Sequence, residues 1–576
     1  MAPGYIFIGA EPSAAAANPV QGPEILDEQG RIVWFSLLPA GQVATDFRVQ
    51  TYEGNPVLTW AQSSSFGAGN PVTMNGYILD NTYTVVASVQ ASGFNGDQHE
   101  FQLTPQNTAL LVIYAARQAD LSSIGGPSDG YVTEGVVQEI DIATGALLFE
   151  WHSLDHVPPS ESHAPVPASA PITAPYDYFH INSAKLDTDG NLLISSRHTW
   201  TVYKVNRTTG DVIWRLGGKS SSFAMGPGAA FAWQHDAEAV DSSTIRIFDN
   251  ESNGAAVLPY TRVIFLHHDD TAMTATLSES ITHPDQLSVL AEGSAQSLDN
   301  GDTFVEWGFL GRYSEFGPTG QLLYDVAEAP GYSSYRGYHQ VWSGAPSGSP
   351  TGIALTNDDG SLLVHAIWNG ATQVATWEVL GGATAGTLST IASAPWNGFN
   401  TTVKAPGGAD VVQVVALDSS GNVIGTSAPA TGPFPYVFRT QPESQAIAPG
   451  GTIVFRAAAA GPVPAYQWMF NGGPLADGSA NGASVSGAAT STLMIRGATP
   501  ADAGSYTCVA SRLGNTATTD PAILTVATTT DMGRLTNISC RSAVGPGFGN
   551  LILGFAITGQ DASAPESLLV RASGPA

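Results

Sequence analysis

Residues Thr188-Asp189-Gly190-Asn191-Leu192-Leu193-Ile194 place a polar pair and a glycine directly before a run of apolar residues. Glycine takes positive φ at low cost, so the stretch reads as a tight turn that opens into the second strand of a β-hairpin. The pattern recurs at Asp27-Glu28-Gln29-Gly30-Arg31-Ile32-Val33-Trp34, at Thr208-Thr209-Gly210-Asp211-Val212-Ile213-Trp214 and at Pro318-Thr319-Gly320-Gln321-Leu322-Leu323. It appears again around Gly145, Gly360 and Gly421. So many hairpins, with no long stretch of helical period, predict an all-β fold built by radial repetition: a β-propeller over residues 1–430. A pair of β-sandwiches would use the same hairpins.

Composition agrees with an all-β chain and excludes several functions. Only 12% of the 576 residues are charged, against about 25% in an average soluble protein. Hydrophobic residues make up 43%, too many for a disordered chain. The net charge of −28 would repel a phosphate backbone, so no nucleic-acid partner is expected. No apolar run approaches the roughly 18 residues of a membrane-spanning segment. Met1-Ala2-Pro3-Gly4 leads straight into the strand-like Tyr5-Ile6-Phe7-Ile8, and Leu568-Leu569-Val570-Arg571 reads as a strand just before the chain stops. Both ends therefore read as trimmed, with no signal peptide in this chain. The expected location is exported: periplasmic, cell-surface or extracellular.

Beyond a linker at residues 430–435, residues 436–527 read as an immunoglobulin-like sandwich. Trp468 precedes Cys508 by forty residues, and Tyr506 stands two before that cysteine, in the pattern of a strand-C tryptophan and a tyrosine corner. The partner strand, Thr452-Ile453-Val454-Phe455-Arg456-Ala457, has no cysteine, so Cys508 is expected to act as a small buried hydrophobe. This domain is read as a spacer or as a contact to a cell surface or glycan. Residues 530–576 read as a partial, β-rich C-terminal module. Cys508 and Cys540 are too few for a disulfide framework, a zinc cluster or a Cys-based redox site.

All 12 histidines lie between His99 and His365, which places any imidazole chemistry in the first two-thirds of the chain. Three segments set histidine among polar groups at a strand edge: Gly96-Asp97-Gln98-His99-Glu100, Asp177-Tyr178-Phe179-His180-Ile181-Asn182-Ser183 and Trp233-Gln234-His235-Asp236. Ser195-Ser196-Arg197-His198 follows the second after one hairpin. A lone histidine in a β-protein is more often structural than catalytic, and His152, His156, His163, His267, His268, His283 and His365 are read that way. Three histidines could bind zinc. Arg197 in the same cluster opposes a cation and suits an oxyanion with several oxygens, so no metal and no cofactor are expected.

These segments, in this order, with Val212-Ile213-Trp214-Arg215-Leu216-Gly217-Gly218-Lys219 between them and Phe248-Asp249-Asn250 after, resemble the arylsulfotransferase family that takes its sulfuryl group from aryl sulfates. The resemblance continues through Val305-Glu306-Trp307-Gly308 and Ala366-Ile367-Trp368-Asn369-Gly370 and covers residues 3–428. It implies a six-bladed propeller, with His235 as the nucleophile that becomes a sulfohistidine. It also implies His180, Asn182, Arg197 and His99 around the sulfate, with His198 beside them as a substrate contact.

The implied activity is ping-pong transfer from an aryl sulfate to a phenol, split in two by an N-sulfonate on imidazole. Arg197 and Asn182 would stabilise charge on the sulfuryl oxygens, with His180 or His99 handling the phenolic proton. The nucleotide-dependent alternative needs a Gly-rich strand-to-helix phosphate cradle, which the sequence lacks. Two other readings stand beside it: a non-catalytic binding or adhesion protein of the same fold, and a metal-dependent sulfatase.

Overall fold

The computed structural model describes residues 2–13, 21–64, 74–251, 259–357, 359–432, 434, 438–459, 465–512, 515–527, 534–541 and 552–558. The hairpin turns form as the sequence predicts. Gly190 takes φ +84° and donates its N–H to the Asp187 carbonyl, and the two flanking strands, Ile181–Leu186 and Leu192–Ser196, pair antiparallel. The other glycines of the pattern also take positive φ.

Up to Ala327 the main strands of each sheet run antiparallel in sequence order, with two short parallel additions, Tyr176–Asp177 beside Gly130–Asp141 and Ala224–Met225 beside Thr274–Ile281. Four strands from Val43–Tyr52 to Val85–Val89 form one sheet, and those from Asp97–Leu103 to Leu147–His152 form the next. Ile181–Leu186 to Val212–Gly217, His235–Asp241 to Thr274–Ile281, and Ser294–Ser297 to Leu322–Ala327 follow. The opening sheet, Tyr5–Pro12, Gly22–Leu26 and Ile32–Phe35, gains a late strand: Gly337–Gln340 pairs with Tyr5–Pro12, Phe7 opposite Tyr338.

The six-bladed propeller is not what these sheets make. Each is a separate, open ladder, and none closes or curls as the expectation required. The reason lies in the signal that was read: a glycine turn specifies pairing between its two flanking strands and carries no information about how sheets are arranged. The stretch assigned to the last part of that fold also departs from simple hairpin order. Thr351–Thr356, Leu362–Ile367 and Asn400–Ala405 form one sheet, and Thr376–Gly382 pairs with Val411–Leu417 in another. Val364, Val379, Trp377 and Val414 close a separate core between them.

The described residues of 438–526 form two main sheets, as predicted for an immunoglobulin-like sandwich, and a short ladder of Phe438–Thr440 with Ala458–Ala459. Trp468 pairs with Cys508 across strands Ala465–Phe470 and Gly504–Arg512. The Tyr506 hydroxyl donates to the Asp502 carbonyl at 2.7 Å, which is the expected tyrosine corner. Cys508 is a free, fully buried thiol in the apolar core. Arg534–Arg541 pairs with Ile552–Thr558; the strand expected at Leu568-Leu569-Val570-Arg571 lies outside the described residues. Among the described residues no helix is long and apolar enough to cross a membrane.

Candidate active site

The site histidines share one structural device. His99, His180 and His235 each sit at or beside the start of the first strand of a sheet, where pairing with the second strand skips residues. Such bulges re-aim side chains away from the regular alternation of a strand. His180 itself takes φ +52°, and Trp233 (+58°) and Asp236 (+52°) flank His235. Left-handed backbone costs non-glycine residues of order 1–3 kcal/mol each, so the surrounding structure must hold it. Here the anchors are visible: Asp236 accepts from Lys185 Nζ at 2.5 Å and from the Ala295 N–H at 3.0 Å. Gln234 Nε2 donates to the carbonyls of Ser196 and Thr201.

The three imidazoles are tied in one way. His235 Nδ1 lies 2.8 Å from Asn250 Oδ1. Asn250 Nδ2 donates to the carbonyls of Val289 and Glu292, so its oxygen faces the ring and His235 must be protonated on Nδ1. Nε2 then carries the lone pair, and it accepts the Glu292 N–H at 3.3 Å. His180 Nδ1 lies 2.5 Å from Asp177 Oδ2, and His99 Nδ1 meets Asp97 Oδ1. Each outer partner fixes a tautomer that leaves Nε2 as the basic nitrogen.

These groups are close together. The ring centroids of His99 and His180 are 5.8 Å apart, those of His180 and His198 4.5 Å. Arg197 and His198 are clamped to the His180 turn by backbone, through the Arg197 N–H to the His180 carbonyl and the His198 N–H to that of Phe179. The Arg197 guanidinium stacks 5.1 Å over the Trp233 ring, donates to the Leu290 carbonyl and approaches His198 Nε2 at 3.2 Å. Burial first, then Arg197, holds the His235 and His180 imidazoles well below their usual range, and burial brings His198 to about 4. All three are neutral at neutral pH. That is the state required of a nucleophile or base.

The Asn182 side-chain amide donates to the Gln234 carbonyl at 2.6 Å, and the Asn182 backbone carbonyl accepts from Arg336. It braces the residue before His235. Several residues were not singled out from sequence. Asn250 orients His235, the Glu292 backbone meets it, and Tyr114 and Tyr335 pack their rings 5.4 and 5.3 Å from His99. Arg336, fully buried, bridges Asp46 and Glu100 behind the site. A signal existed for Asn250, in the quoted Phe248-Asp249-Asn250; none did for Glu292 or Arg336, whose contacts join distant segments.

Among the described residues, Asp177, His180 and His198 form a group close enough to hold a metal ion. The guanidinium beside His198 works against a cation there. A cleft of about 810 Å³, walled by Phe94, Asn95, Asp97, Tyr114, Thr133 and Ile172, reaches the site through Asp97 and Tyr114, which contact His99; none of the histidines lines it. It offers apolar and aromatic surface next to the His99–His180 pair.

Residues 48–328 match the family model described as arylsulfotransferase (ASST), and residues 435–511 match that of an immunoglobulin domain. The first match supports a transferase-type function in general terms. With the sheets open, it does not extend to the propeller-type enzyme that the sequence resemblance implied. No curated protein matches the chain. Among solved structures, titin M4 is 22% identical, covering 16% of this chain and 95% of that one at TM-score 0.14. The N-terminal Ig1-2 module of the Drosophila receptor protein tyrosine phosphatase DLAR is 20% identical, covering 31% and 97% at TM-score 0.15. At such scores these likenesses carry no argument.

Proposed function

We propose that the protein transfers a sulfuryl group from an aryl sulfate to a phenol through His235. The observation that carries this reading is the tautomer of His235: Nδ1 bound to a fixed Asn250 oxygen, Nε2 basic, the ring neutral and buried beside Arg197. In the first half-reaction Nε2 gives up the long contact from the Glu292 N–H and attacks sulfur, the N–S bond forms, and the S–O bond breaks with its electron pair leaving on the phenolate. Arg197 offsets charge on the sulfuryl oxygens. In the second, an acceptor phenol attacks sulfur, its proton passes to Nε2 of His180 or His99, and His235 leaves as neutral imidazole. The cleft walled by Phe94, Tyr114 and Ile172 is the proposed seat of the aryl ring, and the proposed setting is outside the cytoplasm.

A second reading, a non-catalytic all-β surface-binding or adhesion protein, has its own support. The comparisons reach only a family description over part of the chain and an immunoglobulin domain over another, and they favour this reading above a specific transfer step. One experiment separates the two. The protein is incubated with a chromogenic aryl sulfate, with and without phenol, and with EDTA. Transfer gives phenol-dependent release that EDTA leaves unchanged and that falls at least about 10³-fold in His235→Ala. Release without acceptor, lost with EDTA, indicates a metal-dependent sulfatase at Asp177, His180 and His198. No release leaves the binding protein.

A further inference from the structure

A second cavity, of about 360 Å³, lies between the opening sheet and residues 326–332. Ile8, Leu26, Ile32 and Val326 give it apolar walls, Tyr313 adds a ring, and Glu24 and Glu328 place two carboxylates at its surface. More acid stands behind them. Glu11 and Glu306 are near enough to Glu328 to repel it, and Glu306 is fully buried. Among the described residues, neither oxygen of Glu306 has a hydrogen-bond partner, and Glu11 Oε1 and Glu328 Oε1 have none either. The nearby basic side chains are engaged elsewhere: Arg31 with Asp27, and Arg312 with Asp285 and Asp325.

Buried carboxylates without counter-charge must either keep their protons or meet a cation. Burial and Glu24 push Glu328 up to about 7, and Glu11 and Glu306 stand well above the usual carboxylate range. A hard metal ion fits poorly. It needs several oxygens converging on one point, and among the described residues the metal-competent group is the distant Asp177–His180–His198. The walls, moreover, are apolar.

We propose that this cavity binds an organic ammonium ion with an apolar body about the size of phenethylammonium. The ammonium lies against Glu328 and Glu24, and the body against Ile8, Leu26, Ile32 and Val326, with Tyr313 adding ring contact. Of the titratable groups, Glu24 from Gly22–Leu26, Glu328, Tyr313 from Arg312–Phe316 and Tyr332 from Tyr332–Ser333 line the cavity, and Glu11 from Tyr5–Pro12, Glu292 and Glu306 from Thr303–Glu306 stand behind them. None of them is basic. The cavity shares no lining residue with the imidazole cluster, but Glu292, whose backbone meets His235 Nε2, stands near enough to Glu11 and Glu306 to repel them; the proposal does not depend on the transfer reading.

The test is calorimetric titration of the full chain with phenethylammonium chloride, 2-phenylethanol and calcium chloride. Phenethylammonium should give saturable heat, with the neutral alcohol at least about tenfold weaker. Its affinity should rise about tenfold from pH 6 to pH 8, because a carboxyl titrating near 7 must lose its proton to receive the cation. Glu328→Gln should weaken binding at least about tenfold while the thermal midpoint is kept. The pH series needs no variant and stands if that substitution fails to fold. Absence of saturable heat, equal affinity for the alcohol, no loss in Glu328→Gln, or calcium binding that Glu306→Gln removes would each overturn the proposal.

Discussion

The histidine-bearing sheets and the immunoglobulin-like sandwich are both all-β, yet their interiors are built on opposite rules. Among the described residues of 438–527, only Asp502 and Thr519 are buried polar side chains, and the core is Trp468, Phe455, Leu493, Ile495 and Cys508. The sheets before residue 341 bury histidines, arginines, carboxylates and amides together, including His235, Asn250, Arg336, Asp46 and Glu100. Buried polarity costs several kcal/mol per unsatisfied group unless it is paired. The sandwich keeps that cost small, with an apolar core and a few paired polar groups such as the Tyr506 hydroxyl on the Asp502 carbonyl. The first region accepts it and answers with networks, which hold imidazoles neutral and strained turns in place. Similar hairpins therefore support two kinds of interior, one apolar and the other polar and hydrogen-bonded.

The largest way to break the comparison is to damage the packed region. Trp468→Ala removes a fully buried indole and its 2.9 Å bond to the Thr490 carbonyl. It should cost about 3–5 kcal/mol and open residues 438–527 to proteolysis. If the two regions are independent in kind, aryl sulfate turnover stays unchanged; a parallel loss of turnover would merge them.

A smaller effect probes the network. Asn250→Ala frees the His235 ring to adopt either tautomer and should lower turnover about 10–100-fold with little change in KM. Asn250→Asp keeps the acceptor oxygen and should recover part of it. Equal losses in both would make Asn250 a packing residue.

The smallest effect is in pH. His235 and His180 are held below their ordinary range, so the active, unprotonated form persists as pH falls. Turnover should stay flat from pH 7.5 to 6, where an imidazole of ordinary pKa would already be mostly protonated. An acid limb with a midpoint near 6.5 would show that burial does not tune these rings.

The same contrast sets what could be read from the sequence. Gly190 and its counterparts announce local turns, and the turns form. Trp468, Tyr506 and Cys508 stand at spacings that only a sandwich core explains, and that region folds as read. The arrangement of the earlier sheets escaped the reading because no residue of a hairpin encodes where the next sheet lies. At the site, histidine at strand edges was visible, and so was Arg197. The partners that determine their chemistry were not. Glu292 lies 57 positions from His235, and Arg336 lies 236 positions from Glu100.

The pairing of Tyr5–Pro12 with Gly337–Gln340 bears on how the chain is made. The edge Tyr5-Ile6-Phe7-Ile8 is apolar, and its partner strand emerges more than three hundred residues later. At ribosomal rates of about 5–20 residues per second, that edge waits on the order of 15–65 s for its partner. Until then it is a template for any other nascent chain with a free edge. Yield should therefore depend more on the crowding of ribosomes along a message than on the stability of the finished molecule, and any product cut short before Gly337 should be the species that aggregates.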